Sequence, residues 1–265
     1  MTSSRDDDVA VPLLDRWQRY DRMALHVLPA ARHLLEVVGA PPGPERPQLL
    51  DIGTGTATAL ELAAALGWSP LGLDMSIDQL DEAAPTGAPL VLADGQRLPI
   101  RDDAVDAVIS NFALIFATRP EVVLHDARRC LAPRRRCAWS AWCPGGWPNS
   151  WRTLLAHALG RDASPFPVSL GVEDTARAAM LAAGFTDVSI ERRSVSWLVA
   201  DPEDAVATIT AAAGGLRPLV SAVESAGRWP DVSASLVADA ERRARPTADG
   251  IAIDDEYLAV VGRTP

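Results

Sequence analysis

Lysine does not occur in this sequence, and cysteine and tyrosine are scarce, with 3 cysteines and 2 tyrosines among 265 residues. The cysteines stand at Cys130, Cys137 and Cys143. Their spacing fits neither a Cys-x-x-Cys pair nor a zinc finger. We therefore expect reduced, partly buried thiols and no metal site.

Positive charge is also in short supply. The formal net charge is −10, which disfavours nucleic acid as a partner, because such binding needs a basic face that displaces counterions. No apolar run approaches the roughly 20 residues of a membrane-spanning helix, so no membrane partner is expected. The polar, acidic segment Met1–Asp8 lacks the features of a secretion signal. The predicted location is cytoplasmic.

The most informative segment is Leu49–Ala57, which reads Leu-Leu-Asp-Ile-Gly-Thr-Gly-Thr-Ala and precedes a predicted helix, Leu60–Gly67. Gly53 and Gly55 allow a tight turn and a close approach of the backbone to a ligand. Asp51, at the end of the apolar run, can accept hydrogen bonds from an amine or a hydroxyl. The order predicts a buried strand, a ligand-binding turn and a helix.

Two cofactor classes use a turn of this kind. A dinucleotide site has Gly-x-Gly-x-x-Gly and binds pyrophosphate, but here Thr58 takes the third glycine position and Asp51 would repel the phosphates. The pattern Asp-x-Gly-x-Gly resembles instead the first motif of the class I S-adenosylmethionine-dependent methyltransferases. That resemblance implies that Asp51, Gly53 and Gly55 hold the methionine end of S-adenosylmethionine. Taken alone, the match fits an ordinary strand-to-helix turn about equally well.

A second acid ends the next predicted strand, Pro70–Asp74. An acid at this position can bind both hydroxyls of a ribose in either cofactor class. The segment around it resembles the second methyltransferase motif, which implies a cofactor contact for Asp74 and for Met75. Ser76 is predicted to cap the helix Ile77–Ala84.

The strongest family signal follows a third predicted strand and includes a fourth, Val105–Ser110. It resembles the third and fourth motifs of the ubiquinone-type branch of these methyltransferases. The resemblance implies that Asp94, with Gly95 beside it, binds the adenine amine. It also implies that Asn111 and Phe112 lie beside the reactive methyl group. Four motifs in this order are hard to obtain by chance.

The order of the motifs predicts an α/β fold, namely a Rossmann-like doubly wound sheet that is mostly parallel. The resemblance adds a terminal antiparallel hairpin. We divide a single domain into a disordered tail at 1–8, N-terminal lid helices at 9–47, a core sheet at 48–200 and 251–265, and a helical insertion at 201–250. The later predicted elements are strand Cys137–Trp142, helix Ser150–Leu159, strand Phe185–Val199, helices within Asp201–Pro246 and strand Tyr257–Val261.

Aromatic residues at the N-terminus allow two interpretations. Pro29 separates two predicted helices, and Trp17 and Tyr20 lie on the first. Their helical spacing favours the core face. The resemblance implies a second interpretation, in which these rings close over the cofactor.

A tryptophan-rich segment leaves the fifth predicted strand, around the predicted loop Cys143–Asn149. Loops at this edge of a doubly wound sheet line the ligand crevice, so Trp142, Trp147 and Trp151 are predicted to form an apolar wall for the substrate. Anchoring of the loop on the core is an equally good interpretation. His157 is the best-placed imidazole for a general base, although a surface histidine is the more common outcome.

Two departures from the family pattern leave the reaction open. Ala57 replaces the usual third glycine, and Arg134 and Arg135 replace turn glycines. The leading interpretation is methyl transfer from S-adenosylmethionine to a small molecule of bacterial secondary metabolism, an in-line displacement that depends on positioning. The alternatives are a fold repurposed for intramolecular displacement or cyclisation of a natural-product intermediate, and an accessory subunit that binds a partner through the helical insertion. An exposed apolar face on Ala205–Val220 would favour the accessory subunit. A homodimer also stays open.

Overall fold

The structure is a computed structural model that describes residues 22–43, 46–161, 168–211 and 216–265. These residues form eight strands and nine α-helices. The strands are β1 (Gln48–Ile52), β2 (Ser69–Asp74), β3 (Leu90–Leu92), β4 (Val105–Ser110), β5 (Leu131–Trp142), β6 (Thr186–Val199), β7 (Arg245–Thr247) and β8 (Gly250–Arg263). The helices are α1 (Arg22–Val38), α2 (Thr58–Ala65), α3 (Ile77–Ala83), α4 (Pro120–Cys130), α5 (Trp147–Ala158), α6 (Glu173–Ala182), α7 (Pro202–Ala211), α8 (Arg217–Ser225) and α9 (Trp229–Arg243).

All eight strands belong to one sheet, in the order β3-β2-β1-β4-β5-β8-β6 with β7 paired to β8. The strands from β3 to β5 run parallel, whereas β8 runs antiparallel to β5 and β6. The strand order reverses between β1 and β4, and such a switch point opens a crevice at the carboxyl ends of the strands. The predicted doubly wound sheet with its terminal antiparallel hairpin is confirmed.

The central strands are buried on both sides. Four of five residues in β1 and five of six in β4 are buried, as expected for parallel strands covered by helices on both faces. Helix α1 packs against α2, and helix α4 packs against α6. Each of these four helices also packs on the sheet. This support fixes the strand ends that form the crevice.

Helix α1 continues through Pro29, so the predicted break at this residue is wrong. A proline inside a helix removes a backbone hydrogen bond and crowds the preceding turn, at a cost of about 3 kcal/mol or more. Burying one leucine side chain contributes about 1.5 to 3 kcal/mol. Several residues near Pro29 are buried in the core, and together they outweigh its cost: Leu28, Ala30, Ala31, Leu34 and Leu35.

Strand β5 begins at Leu131 instead of the predicted Cys137. Its pairing with β4 changes register by several residues near the start, so part of β5 bulges out of the ladder. Arg134 lies in this bulge with φ 64°, in the left-handed region that favours glycine. The turn conformation is therefore present although the sequence has arginine where the resemblance predicts glycine.

Three further boundaries differ from the prediction. Helix α5 begins at Trp147, inside the predicted loop Cys143–Asn149, with a proline in its first turn that suits a helix start. Strand β8 begins at Gly250 instead of Tyr257, and β7 replaces the end of the predicted helical insertion. The reason is a tight hairpin in which Thr247 pairs with Gly250.

The start of α5 is fixed by a buried acid on β8. Asp255 accepts hydrogen bonds from the Trp147 backbone N–H at 2.7 Å and from the Trp197 indole Nε1 at 2.8 Å. The rings of these two tryptophans lie 5.9 Å apart in an edge-to-face arrangement. Asp255 therefore acts as the N-cap that the sequence around α5 does not supply.

The helical insertion packs on the rest of the molecule. Helix α9 contacts α5 and α7, and α8 contacts α5. In the described part of Ala205–Val220, four apolar residues are buried, namely Ala205, Val206, Ile209 and Val220. The exposed apolar face that would favour an accessory subunit is therefore not found among those residues.

All three cysteines are buried free thiols, as predicted, and burial raises the pKa of Cys137 to about 12. The described helices include none with the length and apolar content to cross a bilayer. The tail at 1–8, Trp17 and Tyr20 lie outside the described residues. The proposed division of the domain stays a prediction.

Candidate functional site

The turn after β1 has two glycines in the left-handed region, Gly53 with φ 72° and Gly55 with φ 54°. The backbone N–H groups of Gly53 and Thr54 donate to the Leu73 carbonyl at 2.7 and 2.9 Å, which ties the turn to β2. A Cβ atom on Gly53 would clash with the Cβ of Ala113. Glycine is therefore required at position 53, because the loop after β4 lies directly against it.

Ala57 stands where the methyltransferase motif usually has its third glycine, and its backbone conformation is strained. Ala57 is buried just before α2 and has φ 65° and ψ 21°. The left-handed conformation costs a residue with a Cβ about 1 to 2 kcal/mol. The backbone at Ala57 thus keeps the conformation that glycine adopts without strain.

Asp51, at the carboxyl end of β1, is 2% exposed. Its Oδ2 accepts a hydrogen bond from the Thr54 hydroxyl at 2.9 Å, whereas its Oδ1 is buried without a partner in the described part of the chain. Burial raises the pKa of Asp51 to about 7; the Thr54 bond acts to lower it and the charge of Asp74 to raise it. A buried carboxylate with an open oxygen is stabilised by a cation. Asp51 is therefore suited to bind an amine.

Asp74 links the first two motifs. Its Oδ2 accepts a hydrogen bond from the Gly55 backbone N–H, and its Oδ1 accepts one from the Ser76 backbone N–H, both at 2.9 Å. Each carboxylate oxygen has a second lone pair, so this half-buried group can still bind hydroxyls. The Ser76 hydroxyl accepts from the Gln79 N–H at 3.4 Å, which confirms the predicted cap of α3.

Apolar side chains lie beside these acids. Met75, next to Asp74, is 75% exposed, and Leu92 at the end of β3 is 56% exposed. Leu92 pairs with Asp74 across the β2–β3 ladder. A Cβ on Gly95 would come within 3.1 Å of the Ile52 side chain, so the loop after β3 lies close to β1. The arrangement offers an apolar surface bordered by polar groups, as small-molecule sites commonly do.

Asp94 organises the loop after β3. Its Oδ1 accepts a hydrogen bond from the Gln96 backbone N–H at 2.8 Å. The Gln96 side-chain oxygen accepts from the Thr118 hydroxyl and from the Arg119 Nε, both at 3.2 Å. These bonds join the loop to the start of α4, and the exposed Asp94 carboxylate stays accessible for an amino group.

The end of β4 places an aromatic residue in a strained conformation. Phe112 is buried with φ 56°, and its ring stacks on Trp142 with centroids 3.8 Å apart and planes at 10°. Its N–H donates to the Ser140 hydroxyl at 2.9 Å, and that hydroxyl donates to the Asn111 Oδ1 at 2.8 Å. Strain of this kind costs about 1 to 3 kcal/mol and clusters at functional sites.

Asn111 joins the strand ends to helix α1. Its side-chain amide donates to the Val27 carbonyl at 3.3 Å. Both polar atoms of the Asn111 side chain thus take part in protein contacts. Its position beside a reactive methyl group stays a prediction, and the structure adds a role in holding α1 near the crevice.

Two of the predicted substrate-binding tryptophans belong to the core. Trp147 and Trp151 are completely buried, with ring centroids 6.0 Å apart. Trp151 also lies 6.5 Å from Trp229 at the start of α9. The expectation of an apolar wall facing the substrate is therefore corrected for these two rings, which anchor α5. Trp142 remains next to the strand ends through its stacking on Phe112.

His157 is exposed in the last turn of α5. The described contacts do not connect it with Asp51 or Phe112. Its role as a general base stays a prediction.

Three residues that were not predicted from the sequence hold the predicted ones in place. Thr54 bonds to Asp51, Ser140 bonds to Asn111 and Phe112, and Gln96 bonds to Asp94. Thr54 lies between the two glycines and three residues after the acid, so its position was a usable signal. Ser140 is a small hydroxyl in an apolar strand, which is a weaker one, and no local pattern marks Gln96.

Residues 50–138 match a family model described as a methyltransferase domain. This segment, about a third of the chain, is therefore similar to a methyltransferase domain. The matched segment begins in β1 and ends in β5, so it includes every strand end described above.

One similar curated protein is also a methyltransferase. The malonyl-[acyl-carrier protein] O-methyltransferase of Geobacter sulfurreducens is 32% identical over 158 residues, which is 56% of this chain and 59% of the relative. The chain thus spans less than two thirds of the length of this relative.

Solved structures share the fold at low sequence identity. The YcgJ protein from Bacillus subtilis gives a TM-score of 0.60 at 11% identity, over 90% of this chain and 98% of that one. The [4+2]-cyclase SpnF gives 0.57 at 19% identity, over 90% and 81%. At such identities the likeness shows the fold and not the reaction.

Proposed function

We propose that this protein binds S-adenosylmethionine in the crevice at the ends of β1, β2, β3 and β4 and transfers its methyl group to a small molecule. The observation that carries the proposal is the unpartnered buried oxygen of Asp51, next to a turn with two glycines. An isolated protein gains nothing from such an oxygen. A ligand with an ammonium group supplies the missing hydrogen bond.

The other residues fit the remaining parts of this cofactor. Asp74, fixed by Gly55 and Ser76, has lone pairs for the two ribose hydroxyls. Asp94 offers its exposed carboxylate to the adenine amine. Met75 and Leu92 provide apolar surface for the adenine ring. When bound, S-adenosylmethionine supplies a methyl group on a positively charged sulfur that a nucleophile can displace.

The chain itself contributes position and a dry aromatic surface. The Phe112 ring is held by its stacking on Trp142 and by its backbone bond to Ser140. Aromatic faces attract cations within about 6 Å, which suits a sulfonium. Aligning nucleophile, methyl group and leaving sulfur lowers the barrier without a strong catalytic side chain. The acceptor is proposed to be a small molecule, and its use in secondary metabolism stays part of the proposal.

A calorimetric titration with S-adenosylmethionine tests the proposal. The wild-type protein should bind, and Asp74→Ala should abolish measurable binding, because the ribose hydroxyls lose their acceptor. Asp78→Ala is the matched control, since Asp78 is an exposed acid four residues further along the chain. Binding that survives in Asp74→Ala would overturn the ribose assignment, and no binding by the wild-type protein would overturn the proposed function.

A second function is favoured by the departures from the family pattern at Ala57 and Arg134, both left-handed in this structure. The fold is also that of a [4+2]-cyclase, so the fold is not limited to methyl transfer. A repurposed enzyme would bind S-adenosylmethionine and release no S-adenosylhomocysteine with any acceptor in a broad panel. Release of S-adenosylhomocysteine with one acceptor would exclude this alternative for that acceptor.

A further inference from the structure

A second cavity, with a volume of about 650 Å³, lies between α5 and α9. None of the motif residues at the strand ends lines it. Cavities of about 300 to 1,000 Å³ commonly hold small molecules. Its position between α5 and α9 distinguishes this cavity from the crevice proposed for the cofactor.

The charges on the cavity wall are mainly positive. Arg152, Arg242 and Arg243 line it, and Asp239 is the single acid among its described lining residues. The protein as a whole has a formal net charge of −10, whereas the described wall of this cavity has three guanidinium groups and one carboxylate. Arg242 and Arg243 share the single carboxylate of Asp239, and the positive charge that this carboxylate does not offset favours an anionic ligand.

The arginines are held in place by specific bonds. Asp239 is 8% exposed and accepts hydrogen bonds from Arg242 at 2.8 Å and from the Arg243 Nε at 3.0 Å. Arg243 also donates to the Gly145 carbonyl at 2.9 Å and to the Ser150 hydroxyl at 3.2 Å. A guanidinium group has five N–H donors, so Arg242 and Arg243 keep donors for a ligand after these bonds are made.

We propose that the cavity between α5 and α9 binds a small molecule through an anionic oxygen group, either a phosphate or a carboxylate. Arg152 is buried within α5 at 7% exposure, and Arg242 and Arg243 lie on the facing helix. Guanidinium groups bind carboxylate and phosphate oxygens in a bidentate manner. The hydroxyls of Ser150 and Thr153 add polar surface.

Calorimetric titrations with inorganic phosphate and with succinate test this site, with chloride at the same ionic strength as the reference. Ala238 lies on the cavity wall and contributes no charge, so Ala238→Asp adds a negative charge without deleting an existing contact. We expect Ala238→Asp to weaken binding by about tenfold or more through repulsion. Ala238→Asn, which has the same shape and no charge, should retain binding within about twofold. The stronger of the two probes identifies the anion class.

Arg242→Gln provides an independent variant, because this side chain is 67% exposed and its loss leaves the core intact. Arg228→Gln is its control, since Arg228 precedes the opposite end of α9. Binding of both probes should fall in Arg242→Gln and not in Arg228→Gln. The proposal is overturned if neither probe binds the wild-type protein, or if Ala238→Asp and Ala238→Asn bind equally. Binding of S-adenosylmethionine, measured in parallel, should be unchanged in all four variants, so failure here is separate from failure of the proposed function.

Discussion

Asp51 and Asp255 are both buried aspartates on strands of the same sheet, yet their surroundings differ. Asp255 uses both oxygens, one for the Trp147 backbone N–H and one for the Trp197 indole. Asp51 uses one oxygen for Thr54 and leaves the other open. Burial raises the pKa of both, to about 7 for Asp51 and about 6 for Asp255.

The difference shows how a binding acid is distinguished from a structural one. A buried acid that stabilises the fold has its hydrogen bonds completed by the protein, as at Asp255. A buried acid that waits for a ligand keeps one acceptor open, as at Asp51. Removing the first should therefore affect stability, and removing the second should affect binding.

The largest effect is expected for Asp255→Ala. The variant leaves two buried N–H donors without an acceptor, and we expect the free energy of unfolding to fall by about 2 to 3 kcal/mol, partly offset by release of a buried charge. Chemical denaturation measures this. Asp254→Ala is the control, because Asp254 pairs with Arg245 at the surface and such pairs contribute about 1 kcal/mol or less. Equal losses in the free energy of unfolding for Asp255→Ala and Asp254→Ala would show that Asp255 contributes no more than a surface acid.

Asp51→Asn should weaken binding of S-adenosylmethionine by about tenfold, because a charge-assisted bond to the ammonium group is lost. The free energy of unfolding should not fall, since asparagine can still accept the Thr54 hydrogen bond and carries no buried charge. Calorimetry and denaturation together measure both effects. A loss of stability with unchanged affinity would show that Asp51 is structural, like Asp255.

The pH dependence of S-adenosylmethionine binding also tests whether Asp51 is a binding acid. Since the pKa of Asp51 is about 7 in the folded protein, lowering the pH from 8 to 6 protonates the carboxylate and should weaken S-adenosylmethionine binding by about tenfold. Asp51→Asn should show no such slope. Titrations at a series of pH values make the comparison, and parallel slopes in the two proteins would contradict it.

The stability of the unliganded protein should show the opposite trend. A raised pKa in the folded state means that Asp51 favours folding most below its unfolded value of 3.8 and that this contribution is lost as the pH rises through about 7. Denaturation between pH 4 and pH 7 should therefore show a decline that Asp51→Asn reduces. If the stability of the wild-type protein instead rose between pH 4 and pH 7 as much as that of Asp51→Asn, the raised pKa of Asp51 would be contradicted.

The smallest effect is expected for Ala57→Gly, which relieves left-handed strain near the Asp51 turn. Glycine has no Cβ penalty there, but it loses more backbone freedom on folding. The net gain in the free energy of unfolding should be about 0.5 kcal/mol. Ala59→Gly inside α2 is the control and should destabilise by about 1 kcal/mol. Destabilisation by Ala57→Gly would mean that the strain at Ala57 is not relieved by glycine.

Features encoded in local pattern could be predicted from the sequence. The sheet and the crevice were predicted from the apolar run of β1, the two glycines and the acids at the ends of β1 and β2. They succeeded because a short buried strand followed by a glycine turn has few alternative structures. Thr54 was within the same pattern and could have been recognised.

Features that depend on distant contacts could not be predicted. Pro29 stays within a helix because its neighbours pack on the sheet. Trp151 lies against Trp229 of α9, and Trp147 lies against Trp197 of β6. The left-handed conformations of Ala57 and Phe112 follow from the surrounding structure and not from residue type. Asp255 shares a strand face with Ile253 and Tyr257, yet β8 was not predicted to extend so far, and its partners lie on α5 and β6.

A crystal structure of the protein with S-adenosylhomocysteine is the sharpest test of the binding role of Asp51. We expect the ligand ammonium group against the open oxygen of Asp51, the ribose hydroxyls on Asp74 and the adenine amine near Asp94. This binding role would be contradicted by a ligand bound elsewhere, including the cavity between α5 and α9, or by one bound in the crevice with Asp51 Oδ1 still without a partner.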